Sequence, residues 1–167
     1  MLEGILTFNY EPVLRKRSPV GLSIDLVETE QDRDAIHVVR NRVFVQEQHV
    51  PLDIETDDVD SSAYHAIARW EGKIVGTGRL VVELPFSGKI GRMAVLTAYR
   101  KLGVGGQILS FLEIYAENMG IHEITLHAQV YVKDFYQKKR YQEEGLVFLE
   151  AGIEHILMRK NLNEIQK

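Results

Sequence analysis

The stretch Met93-Ala-Val-Leu-Thr-Ala-Tyr-Arg100-Lys-Leu-Gly103-Val-Gly105-Gly106-Gln-Ile-Leu constrains this chain more than any other. An apolar, strand-like run passes through a basic, glycine-rich turn straight into a helix. Val104, Ile108, Leu112, Tyr115, Ala116 and Met119 recur at helical spacing, and the stripe stops at Gly120, a residue suited to a C-terminal cap. Glycines in such a turn let backbone N–H groups approach a ligand. The helix start adds unpaired donors and the positive end of the dipole, so the turn is physically an anion site suited to phosphate. Arg100 and Lys101 add charge of the same sign. Two other phosphate loops fit poorly. A dinucleotide-binding fingerprint would need glycine at Ile108 and an acid after the next strand, where Ala128 and Gln129 stand. A Walker loop needs Gly-Lys-Ser/Thr, which Gly105-Gly106-Gln107 does not supply. The glycines alone are equally consistent with a turn that only avoids steric strain.

The remaining pattern predicts a mixed α/β sheet in one domain, the size expected for 167 residues. Ile24-Asp25-Leu26-Val27 reads as a strand, and Thr29-x-x-Asp32 has the spacing of a helix capping box. The helix that follows carries Ile36, Val39, Val43 and Phe44 on one face and ends near Gln48, before Pro51. Tyr64 to Trp70, Lys73 to Leu84 and Lys89 to Leu96 form an antiparallel meander joined by short Gly and Pro turns. After the glycine turn and its helix come a strand through Ile124, Leu126 and Ala128, a short helix from Val132 to Tyr141, and strands at Leu146 to Leu149 and His155 to Arg159. The order is β-α-β-β-β-α-β-α-β-β. Residues 1–22 read as an N-terminal extension, with Pro12, Pro19 and Gly21 around the basic run Leu14-Arg15-Lys16-Arg17, and Leu6 to Tyr10 as an added edge strand. The domain proper is expected over 23–167.

Composition excludes several classes. Twenty basic against twenty-four acidic residues give a net charge of -4, the opposite balance to that of a nucleic-acid binder. Without cysteine there is no disulfide framework, no thiolate metal site and no covalent mechanism through sulfur. Met1 to Tyr10 lacks the pattern of a signal peptide and no segment reaches membrane-spanning length, so a cytoplasmic location away from the membrane is expected. No metal site is expected. His122-Glu123-x-x-x-His127 is one residue longer than the zinc-protease motif, and a five-residue offset on a strand puts the imidazoles on opposite faces. The run Asp53-x-Glu55-x-Asp57-Asp58-x-Asp60 lacks the glycine and closing glutamate of a calcium loop. It reads as a solvated acidic loop, with some acids available to attract a cationic amine. His37, His49 and His65 default to structural or surface roles.

Arg100-x-x-Gly103-x-Gly105 resembles the Arg/Gln-x-x-Gly-x-Gly/Ala signature of the GNAT superfamily of N-acetyltransferases, and the likeness is closer still to the ElaA-type bacterial acetyltransferases. It extends over roughly residues 23 to 160 through Arg42-Val-Phe44-Val-x-Glu47-Gln48, Glu55-x-Asp57, Gly91-Arg92-Met-Ala-Val95, Ala128-Gln129, Phe135-Tyr136 and Ala151-Gly-Ile-x-His155-Ile-Leu-Met158. The resemblance implies that the backbone of Met93, Ala94 and Val95 bonds the pantetheine arm of acetyl coenzyme A. It implies that the loop Arg100, Lys101, Leu102, Gly103, Val104, Gly105 and Gly106 holds the pyrophosphate. Gln129 stands where the family often has asparagine for the same arm. Tyr136 matches the tyrosine that protonates the departing thiolate. Arg140 stands where the family usually has glycine; with Lys138 and Lys139 it could add cationic charge for the cofactor's phosphates, although a solvated helix face is the plainer reading of those lysines. The His155-Ile-Leu-Met158 segment resembles glyphosate N-acetyltransferase, which implies that His155 deprotonates the amine. A packed histidine is the plainer alternative.

The implied reaction moves acetyl directly from acetyl coenzyme A to an amine, most simply a small molecule. A homodimer is a family expectation. Two other functions stay open: an acyltransferase like the acyl-homoserine lactone synthases, which share the Arg-x-x-Val-Phe segment before an acidic loop, and a coenzyme A sensor without transfer activity.

Overall fold

The computed structural model describes residues 19–83 and 85–163, so the strand expected at Leu6 to Tyr10 and the basic run after it lie outside the described residues. Strand β1 (Leu22–Leu26) leads to helix α1 (Glu30–Arg40), whose start is closed by Thr29, its hydroxyl accepting from the Asp32 N–H at 3.1 Å. The helix runs on through one wide turn, Asn41–Glu47, in which the Gln48 N–H donates to the Val43 carbonyl five residues back. A short helix α2 (Leu52–Glu55) follows, which periodicity did not predict. Then come β2 (Tyr64–Trp70), β3 (Lys73–Glu83), β4 (Ser87–Val95), α3 (Val104–Asn118), β5 (Glu123–Gln129), α4 (Lys133–Gln137), β6 (Gln142–Glu150) and β7 (Ile153–Asn161). The expected order of strands and main helices holds. α4 is shorter than expected and β6 longer, because the chain turns at Arg140, whose φ is +70°.

The seven strands form one sheet in the order β1-β2-β3-β4-β5-β7-β6, antiparallel except where β4 meets β5. Crossing between parallel neighbours needs a helix, and α3 is that crossover. Its apolar stripe, Val104, Ile108, Leu109, Leu112 and Ala116, is fully buried against Ala66, Ala68, Val75, Leu80, Ile90, Ile124, Leu126 and Met158. Close approach is possible because Gly78 has no side chain: a Cβ there would fall 2.7 Å from Ile108. On the opposite face Val39 of α1 and Val43 of the wide turn pack on Ala94.

The acidic loop is not the solvated loop expected from sequence. Arg40 at the end of α1 is completely buried and donates to Glu55, to both carboxylate oxygens of Asp60 (3.0 and 2.8 Å) and to the Glu55 carbonyl (2.8 Å). Arg79 on β3 bonds Asp57 and Asp60, each at 2.6 Å, and Arg92 on β4 bonds Asp57 (3.2 Å) and the carbonyls of Ile54 and Glu55. A buried guanidinium needs acceptors for a rigid fork of donors, and this loop supplies them. Burial pushes the Asp60 carboxyl up, but the hydrogen bonds from Arg40 and Arg79 outweigh it and hold it at about 2.

Asp60→Asn therefore leaves two buried guanidinium groups short of charge and should cost about 3–5 kcal/mol of unfolding free energy at pH 7, read by urea titration. Because the folded Asp60 sits below its ordinary 3.8, its stabilisation is present above that value and lost as pH falls through about 2. The gap between wild type and Asp60→Asn should narrow over that window; a gap that stays constant to pH 2 would show that the charge is not what stabilises.

Candidate active site

The site begins with an irregularity in β4. Thr77 pairs with Ala94 and Arg79 with Gly91, so Gly78 alone opposes Arg92 and Met93. Arg92 takes φ +50°, and the extra residue makes a bulge. On its other edge β4 pairs with β5 only over Ser87–Lys89 and Glu123–Thr125. Beyond that the strands part, β4 running on to Val95 and β5 to Gln129. The backbone of Met93, Ala94 and Val95 thus lines an opening on the β5 side.

At the far end of β4 the chain turns through Leu96 to Gly103 into α3. Gly103 holds φ +87° at the helix start, a conformation that only glycine takes without strain. Gly105 and Gly106 differ. A Cβ at Gly105 would only touch Phe135 and Val95 at 3.8 Å, so the protein's own packing does not demand glycine there. The space above the first helical turn, with the N–H groups of Val104, Gly105 and Gly106 having no intrahelical acceptor, fits an anion. A cation stands over it. A Cβ at Gly106 would lie 3.3 Å from Lys139 Nζ, so Lys139 is not simply on a solvated face; Lys138 and Lys101 are exposed.

Arg100 is engaged elsewhere. Its Nε donates to the Val95 carbonyl at 2.9 Å, and its two terminal nitrogens bond Glu47 at 2.5 and 2.7 Å, with Thr97 also donating to Glu47. The hydrogen bond from Arg100 holds the Glu47 carboxyl below the usual range despite partial burial. Arg100 acts as a strut from the end of β4 to the wide turn after α1.

Across the opening, Gln129 and Gln48 join through their amides (2.9 Å), and the Tyr131 hydroxyl donates to Gln129. Tyr136 lies in the core, edge-on to Phe135 (4.9 Å) and Tyr141 (5.8 Å), and burial pushes its phenol up to about 12. His155 pairs with Gln129 across the β5 and β7 strands and is buried. Its Nδ1 lies 2.8 Å from the Ile153 carbonyl, which can only accept, so Nδ1 carries the proton and Nε2 the lone pair of the neutral ring. The opening thus collects Met93 to Val95, Gly103 to Gly106, Gln129 and His155. Sequence reading missed Tyr131 and the strut role of Glu47, and it met His127, which bonds Glu150, only as part of a discounted zinc motif.

The sequence model for the Acetyltransferase (GNAT) domain matches residues 26–162, and the chain belongs to that family. It is 38% identical over 133 residues to YjcF of Bacillus subtilis, named as an uncharacterized N-acetyltransferase, covering 79% of this chain and 94% of that one. The crystal structure of Escherichia coli ElaA is similar with a TM-score of 0.72 and 26% identity, covering 84% of this chain and 99% of that one. The coenzyme A-dependent acyl-homoserine lactone synthase BjaI, with a TM-score of 0.70, covers 86% of this chain and 85% of that one; at 15% identity it shares the fold alone. The protein is a GNAT-family acyl-CoA N-acyltransferase. Among the described residues no helix is long and apolar enough to cross a membrane.

The two kinds of glycine separate by stability. Gly103→Ala should cost about 1–2 kcal/mol because of its positive φ, whereas Gly105→Ala should leave stability unchanged or raise it by up to about 1 kcal/mol. Thermal unfolding of both variants checks this.

Proposed function

We propose that the chain transfers acetyl from acetyl coenzyme A directly to a small-molecule amine, without a covalent enzyme intermediate. The observation that carries this reading is the parting of β4 and β5 beside a glycine-opened helix start. When bound, the coenzyme supplies the thioester and nothing more. The edge of Met93, Ala94 and Val95 offers backbone partners to its pantetheine arm, with the Gln129 amide opposite. The turn of Arg100, Lys101, Leu102, Gly103, Val104, Gly105 and Gly106 receives the pyrophosphate. There the backbone N–H groups and Lys139 are the donors, and Arg100 shapes the turn while bonded to Glu47.

Amide formation needs a neutral amine, an aligned carbonyl and a stabilised leaving group, so positioning carries much of the rate. His155 offers Nε2 to a proton on the amine, with Nδ1 anchored to Ile153. Glu47 is a weaker choice of base, because Arg100 keeps it ionised and fills both its oxygens. Tyr136 keeps its proton at neutral pH and can donate a hydrogen bond to a departing thiolate. The acidic loop contributes less to the acceptor than its sequence suggests, since Glu55, Asp57 and Asp60 face arginines.

Gly105→Val places branched bulk where the anion would sit and should weaken coenzyme A binding roughly tenfold or more in a folded protein. Calorimetry reads this; unchanged affinity removes the cleft assignment. His155→Ala should lower turnover by roughly two to four orders of magnitude with coenzyme affinity intact, and abolish the acidic limb of the pH–rate profile. An amine library scored by thiol release supplies the acceptor, and tight binding with no release from any amine favours a sensor instead.

A further inference from the structure

The face of the sheet beyond His155 holds charged groups that the reaction described so far does not use. His127 on β5 lies on the same face as Gln129, two residues on, and its Nδ1 is 2.6 Å from Glu150 Oε2 on β6. A carboxylate cannot donate, so Nδ1 carries a proton toward Glu150. Lys89 Nζ on β4 sits almost equally close to both ring nitrogens, 3.5 Å from Nδ1 and 3.4 Å from Nε2. Phe148, also on β6, is edge-on to His127 at 4.9 Å and stacked on His155 at 6.1 Å, so the two imidazoles flank one ring. The turn between β6 and β7 fixes this spacing. Glu150 pairs with Ile153 across a two-residue loop, Ala151-Gly152, in which both residues have positive φ (+50° and +76°). The carboxylate and the Ile153 carbonyl that anchors His155 are therefore set by the same hairpin.

We infer that Glu150 is a positioning residue for acyl transfer: fixed by His127, its carboxylate favours the imidazolium that His155 becomes on taking the amine proton. This rests on the reading of His155 as base. In that step the His155 Nε2 lone pair forms an N–H bond as an ammonium N–H bond breaks, and the freed amine keeps the electron pair. The positive charge moves from the substrate into the ring, so a fixed negative charge facing that ring favours the transfer. The hydrogen bond from His127 keeps Glu150 ionised, at about 2, against its partial burial, and the charges of His127, His155 and Lys89 add to that pull. Phe148 from β6 stacks on His155 and the uncharged Gln129 from β5 pairs with it, while Glu150, His127 and Lys89 form a linked cluster on the same face of the sheet; Glu154, next on its own strand, is exposed on the opposite face. Glu150 is the only carboxylate in that set. Lys89 partly offsets it, so removing the Glu150 charge leaves that cation unopposed.

The test is an NMR titration of the His155 Cε1–H signal in the full chain, without coenzyme or amine. In Glu150→Gln the midpoint should move toward acid by roughly half a unit to one unit, with Glu150→Asp in between. Glu144→Gln, which removes a charge from the same strand where it pairs with Arg159, should leave it in place. The acidic limb of the pH dependence of kcat/KM should follow the same shift once an acceptor is in hand. An unmoved His155 midpoint in folded Glu150→Gln overturns the inference. If Glu150→Gln does not fold, Lys89→Met replaces it: loss of that cation should move His155 toward alkaline pH, and no movement or an acid shift overturns the inference. The titration reads coupling without turnover, so it stands apart from the base reading, which alone fails if His155→Ala keeps the acidic limb.

Discussion

Three guanidinium groups and three carboxylates, neutralising one another beneath the acidic loop, hold this structure in its working shape. Arg40 ends α1, Arg79 lies mid-strand in β3, and Arg92 occupies the bulge of β4; Glu55, Asp57 and Asp60 come from one short loop. Either set alone would be a heavy burden in the interior, since an unpaired buried charge costs several kcal/mol. Together they tie a helix end, two strands and a loop to one point. Arg92 is held in its unusual backbone conformation by bonds to Ile54 and Glu55 carbonyls, and the bulge it makes bends β4 beside β5. The opening beside β5, where we propose the acyl donor binds, is thus tied to this charge pairing.

Much of the fold was legible because each element satisfies a local rule. β2 spans the residues that alternation marks, Tyr64–Trp70, and the stripe of α3 is the stripe that is buried. What local rules cannot show is pairing across the chain. The loop acids look solvated because nothing within a few residues of them says that three arginines will be folded against them. One clue was present. Arg79 interrupts an otherwise apolar strand and Arg40 belongs to a buried helix end, and a charged residue at a core position implies an opposite charge elsewhere. The wide turn at Asn41–Glu47 left no such trace, because its register depends on packing against Ala94 and not on spacing.

The site divides the same way. Gly103 is required by a backbone angle and can be read from a turn motif, whereas the freedom at Gly105 and the presence of Lys139 above Gly106 follow from where α4 lands on α3. Arg100 shows the limit of carrying a motif residue over by position. Its place in the turn resembles a phosphate ligand, yet its three hydrogen-bonding nitrogens go to Val95 and Glu47 and brace the turn against the wide turn that follows α1.

The layout also places the two halves of the proposed site on different parts of the sheet. The phosphate turn and the Met93 to Val95 edge ride on β4 and α3, while His155, Gln129 and the His127–Glu150 pair ride on β5, β7 and β6. These halves meet where α3 packs on Ile124 and Leu126, at the Gln48–Gln129 amides and along a parallel pairing of three residues on each strand, Ser87–Lys89 against Glu123–Thr125. The spacing of Met93 to Val95 from His155 is therefore governed in part by a short stretch of ladder that includes neither. Lys89 belongs to that stretch and also reaches His127, so the ladder that sets the spacing of the halves also carries a cation beside the His127–Glu150 pair.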